Sequence, residues 1–215
     1  MKWFNLAPRK RATPAPSPST QFSETPAIDP RWAHIHDDQN ICGCCETTLK
    51  DLLSLAYVAP ERWTGTASPQ DNSAILHPDT TDILTHDLCR MADHHFIRTV
   101  MIIPLIGCAD PIILGIWVEV DQACFHTYLD TMPLGQQGVM PLMFGKTANI
   151  IPGFGMGQAC VMQPRDDFQR PITHIAIEED PLYIAQIDGF DFDQLITLLA
   201  GYGHKFLSAD VGHAK

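Results

Sequence analysis

The sequence predicts an α+β fold, a central, mostly antiparallel sheet flanked by short helices. Three observations carry that expectation. Apolar, β-branched segments are grouped in the middle of the chain, helical stripes stand towards both ends, and no strand–helix alternation of the doubly wound kind runs through it. With 215 residues, 45% of them hydrophobic, the chain can bury a substantial core.

Residues 1–30 hold Pro8, Pro14, Pro16, Pro18, Pro26 and Pro30 among Ser, Thr and Ala, too little apolar area to offset the entropy of ordering. They are read as a disordered tail, residues 31–204 as one globular domain and 205–215 as a C-terminal tail. Leu49, Leu52, Leu53 and Ala56 follow helical spacing and predict a short helix stopped before Pro60. Residues 64–80 read as an exposed loop and 82–91 as another short helix. Residues 96–106 and 112–120, dense in Ile and Val around a Gly107 to Pro111 turn, predict a long antiparallel hairpin apolar on both faces. Asp121 caps a helix carrying Cys124, Phe125, Tyr128 and Leu129 on one side. Strands are expected near 140–144, 158–163 and 172–178. Asp180 before Pro181 opens a helix that Gly189 closes. Asp191 with Gln194 opens the last, with a Phe192, Leu195, Ile196, Leu199 stripe and Gly201 as terminator.

The net charge is −11 and the pI about 5.2. Lys2, Arg9, Lys10 and Arg11 crowd the first residues, so residues 31–215 carry 10 basic and 23 acidic groups, a net −13. Such a body repels phosphate backbones and anionic lipid, which argues against nucleic acid as a partner and favours a basic protein. The longest apolar runs are broken by Pro104, Gly107, Asp110 and Pro111, far below the roughly 20 residues of a membrane-spanning helix. Seven cysteines in no even framework fit a reducing cytoplasm better than a disulfide scaffold.

Cys42, Gly43, Cys44 and Cys45 form the most suggestive cluster, because Cys42 and Cys45 at Cys-x-x-Cys spacing can reach one tetrahedral zinc. A full site needs four ligands, here Cys89 with one of His34, His36, His94 or His95. With one Cys-x-x-Cys alone, the knuckle is read as a tight turn of reduced thiols and zinc as the alternative. Gly153 to Gly157 lacks the spacing of a nucleotide loop and reads as a turn. Glu178, Glu179 and Asp180 read as a helix start. Arg98, inside an apolar strand, needs a carboxylate partner or an anionic ligand.

Several short motifs, in order, resemble a bacterial family known as domain of unknown function 2199. They are the cysteine knuckle, residues 59–63, 87–89, 94–98, 103–107 and 115–118, Pro152 to Phe154, and Asp180 to Leu182 with Gln186 and Gly189. The resemblance implies one compact bacterial cytoplasmic domain and supplies no activity. It also implies a glycine after the knuckle and a histidine three residues later, where this chain has Glu46 and Leu49. With no complete catalytic set, the expected function is a noncatalytic binding or regulatory module, such as a toxin-neutralising protein. The rival is an enzyme or small-anion-binding protein with a site near Arg98, His94 and Trp117.

Overall fold

A computed structural model describes residues 29–35, 37, 41–76 and 82–205. The expected tails over 1–30 and 205–215 lie outside the described residues, apart from Asp29, Pro30 and Lys205. The described residues form strands β1 (Ser54–Ala56), β2 (Ile83–Leu84), β3 (Leu88–Met91), β4 (His94–Ile103), β5 (Ile112–Val120), β6 (Met143–Thr147), β7 (Ala159–Gln163) and β8 (Ile172–Ile175). Their α-helices are α1 (Gln122–Thr131), α2 (Pro181–Asp188) and α3 (Phe192–Gly201).

The framework is the expected hairpin: β4 and β5 pair antiparallel from His95 opposite Val120 to Ile103 opposite Ile112. Each long strand uses its outer edge twice. β4 carries β3 along its first half and meets β8 in parallel at Val100 and Ile172, while β5 carries β1 in parallel and then β6 antiparallel. Since β6 pairs with β7 and β7 with β8, strands β4 to β8 close into a five-stranded barrel, with β1, β2 and β3 as additions. Pairing is antiparallel in all but β1–β5 and β4–β8, yet the expected central sheet flanked by short helices is corrected to a barrel-like sheet with few short helices. Closure rests on a pairing between residues 72 positions apart, which no local pattern announces. Gly145 permits it: a Cβ there would lie 2.5 Å from the Glu119 carbonyl oxygen and from Val118 Cγ1.

Two expected helices are strands. Leu49, Leu52 and Leu53 are buried as predicted, but only residues 51–53 turn, as a 3-10 helix, before the chain extends into β1 with Ala56 exposed. The free outer edge of β5 wins over a two-turn stripe. Residues 82–91 form β2 and β3, because β3 pairs residue for residue with the first half of β4. The strands expected near 140–144 and 172–178 run over β6 and β8 instead. The helix signals hold: Asp121, Asp180 and Asp191 each cap through a carboxylate, and Asp191 with Gln194 completes a capping box.

Alternation along the hairpin separates two cores. Ile97, Met101, Ile103, Ile112, Leu114, Ile116 and Val118 join the main core with Phe125, Leu182 and Leu199, while Phe96, Trp117, Leu84, Cys89 and Ala148 form a second cluster on the other face. The N-terminal segment docks on α3: Arg31 donates to Asp193 at 2.6 Å, and Trp32 meets Phe192 edge-on at 5.2 Å. No helix among the described residues is long and apolar enough to cross a membrane.

Candidate metal centre

Residues 41–48 form a tight loop. Ile41 bridges Thr48, the Cys42 N–H donates to the Thr47 carbonyl at 2.8 Å, and Glu46 takes a left-handed conformation (φ 57°) to turn the chain. The loop points three thiols at the end of α3, which is built to deliver a nitrogen. Gly203 (φ 87°) donates to the Ala200 carbonyl and His204 to the Leu199 carbonyl, the paired bonds of a Schellman motif. The terminating glycine is therefore Gly203. Gly201 remains in the helix, and glycine is needed there because a Cβ would lie 2.3 Å from Pro152 Cβ. The Gly43 N–H donates to the Lys205 carbonyl at 3.1 Å and locks the two segments together.

Cys42 Sγ, Cys44 Sγ, Cys45 Sγ and a His204 ring nitrogen all lie within 4.8 Å of one another. His204 Nδ1 is 3.8 Å from Cys42 Sγ and 3.6 Å from Cys45 Sγ, and the Cys42 and Cys44 sulfurs are 3.0 Å apart. Ligands around tetrahedral zinc stand about 3.5 Å apart for sulfur and nitrogen and about 3.8 Å for two sulfurs. The nitrogen fits as placed, and the two close sulfurs need to part by about 0.8 Å, which the exposure of Cys44 allows. Burial raises the Cys42 thiol, but hydrogen bonds from Cys44, His204 and neighbouring backbone outweigh it and bring it down to about 6, whereas Cys44 is raised by its bond to Cys42. A thiolate forms first at Cys42, and the thiolate is the metal-binding form.

The residues singled out from the sequence divide between this cluster and elsewhere. Cys42 and Cys45 are in it. Cys89 is fully buried in the second core cluster, its thiol pushed up to about 12 by burial and the charge of Asp82. Of the proposed histidines, His94 and His95 lie on β4, His36 is outside the described residues and the His34 side chain is not described. Leu49, where the resemblance expects a histidine, is buried in the main core; the nitrogen beside the thiols comes instead from His204, 159 residues after Cys45. Sequence reasoning missed it because no local spacing links the two. The available signal was a histidine directly after a helix-ending glycine.

His94, Arg98 and Trp117 do share one face of the β4–β5 hairpin, with Arg98 opposite Trp117. Trp117 is fully buried and donates its indole N–H to the Tyr57 carbonyl. Arg98 donates to the His86 carbonyl at 3.2 Å and lies over the Trp117 ring, 5.9 Å from its centroid, while the nearby Asp87 carboxylate is bonded by Arg170 at 2.6 Å. His94 Nδ1 is 2.6 Å from Glu119 Oε1.

A family model for uncharacterised proteins conserved in bacteria (DUF2199) matches residues 41–190, so it takes in the three cysteines of the knuckle and stops before His204. No curated protein and no solved structure matches the chain. On a match that covers most of its length, from the knuckle to the end of α2, the chain belongs to this bacterial family, DUF2199.

Proposed function

We propose that the protein is a zinc-binding module whose ion is structural, held by Cys42, Cys44, Cys45 and His204. The observation that carries the reading is the convergence of these four ligand atoms from the two ends of the described chain. Three thiolates and an imidazole suit zinc, or a similarly soft ion, over calcium or magnesium. A site with four protein ligands leaves no open position for a reacting water, which supports a noncatalytic module over a metalloenzyme. The net −13 of residues 31–215 supports a basic protein as its partner.

Elemental analysis of protein purified without added metal tests the reading. About one zinc per chain is expected, lost in Cys42→Ser, Cys45→Ser and His204→Ala and kept in Cys89→Ser. Trace metal in the unaltered protein, or zinc retained by all three cluster variants, overturns it.

A further inference from the structure

The outward face of β4, β5 and β6 carries a second group of reactive side chains, separate from the thiols. Strand register assembles it: Phe96 stands opposite Glu119, and Glu119 opposite Lys146, so a ring, a carboxylate and an ammonium lie side by side on neighbouring strands. A cavity of about 600 Å³ opens over them. Fully buried Phe96 contributes to its lining, as do exposed Phe144 and Met156, and its charged lining residues are Arg62, Glu119, Asp121 and Lys146.

Both of those carboxylates are already engaged. Asp121 caps α1, accepting from the Cys124 N–H at 2.7 Å, and Glu119 holds His94 at 2.6 Å. The far nitrogen of His94, Nε2, is 3.5 Å from Arg62 Nη1. An arginine only donates, so Nε2 faces it as the acceptor and Nδ1 carries the proton towards Glu119. The cavity lining thus combines two exposed cations with apolar surface, while its two carboxylates, though still charged, are each held by a hydrogen bond within the protein.

We propose that this cavity binds a small organic anion, a carboxylate or phosphate monoester bearing an apolar or aromatic group. Arg62 and Lys146 hold the anionic group, and exposed Phe144 and Met156 receive the apolar part. His94 takes no direct part: its two ring nitrogens are taken up by Glu119 and Arg62. Arg98 shares the face of His94 but does not line this cavity; its Nη1 donates to the His86 carbonyl and its guanidinium lies over the Trp117 ring. The cation comes instead from Arg62, on the loop after β1. Arginine suits the task, because its planar donors match carboxylate and phosphate oxygens in pairs.

Isothermal titration of the full chain with phenyl phosphate, phenylacetate, inorganic phosphate and benzylamine tests the proposal. At least one of the two aromatic anions is expected to bind saturably, more tightly than inorganic phosphate, with benzylamine silent. Whichever aromatic anion binds better identifies the anionic group. Arg62→Gln and Lys146→Gln, both at exposed positions and checked for unchanged circular dichroism and zinc content, are each expected to weaken binding about tenfold or more, and Lys50→Gln to leave it unchanged. The proposal falls if neither aromatic anion binds saturably, if both cavity variants bind like the unaltered protein, or if Lys50→Gln weakens binding equally.

Discussion

His95 follows His94 on β4 but turns to the opposite face, where it is buried against Phe125 at 4.9 Å between ring centroids, with His126 at 6.0 Å. Its Nδ1 has no hydrogen-bond partner among the described residues. Burial, with the charges of His126 and Arg90, lowers its pKa from 6.5 against the opposing influence of Asp93. Above about pH 6.5 the ring is neutral whether the chain is folded or not. Below it the unfolded chain takes up a proton that the folded chain resists, so stability falls with falling pH. Urea midpoints measured from pH 7.5 to 5.5 are expected to decline, and to decline less in His95→Phe. The sequence showed two histidines at a strand entry, and alternation alone sends them to opposite faces. What each meets there comes from α1 on one side and β5 on the other. Buried Asn149 was still less legible: it accepts the Trp117 N–H and donates to the Ala59 carbonyl, in a segment with no periodic signal. The need of Arg98 for a partner was readable from one charge in an apolar run, but not that a carbonyl and an indole would stand beside it while its Nε finds no hydrogen-bond partner among the described residues.

Among the elements, those governed by local chemistry were the legible ones. α1, α2 and α3 begin where an aspartate caps them, and the β4–β5 hairpin follows two apolar runs around a turn. β1, β2 and β3 were misread because their conformation is set by the free edges of β4 and β5, which sequence spacing does not display. The end of α3 lies between these cases. A helix-ending glycine was visible, but Gly201 is there to let Pro152 pack against the last turn, and it is Gly203 that takes the left-handed conformation and ends the helix. Gly203→Ala is therefore expected to cost about 1 kcal/mol through its left-handed backbone. By displacing His204 it is also expected to speed zinc loss to a chelator, measured with a colorimetric zinc indicator. Normal zinc retention in that variant would mean that the Schellman turn does not position the ligand.

For the molecule as a whole, the strands were mostly foreseeable and their closure was not. Barrel formation depends on the parallel contact between β4 and β8 and on the close approach of β5 and β6 at Gly145, both long-range. The thiol cluster shows the same limit, since three ligands lie within four residues and the fourth needs the whole barrel to bring it round. That arrangement alters how the chain is connected. A bond through zinc from residues 42–45 to residue 204 would make the intervening polypeptide a ring, and restricting so long a loop in the unfolded chain favours the folded state by about 5 kcal/mol on chain-entropy grounds. A ring can be cut once without falling apart. Ala67 and Ser68 are exposed on the loop between β1 and β2, so a protease site inserted between them is expected to yield a nicked protein whose fragment 1–67 stays with the remainder on gel filtration in mild urea. Adding a chelator under the same conditions is expected to set that fragment free. Separation before the chelator is added would show that no metal spans the two ends.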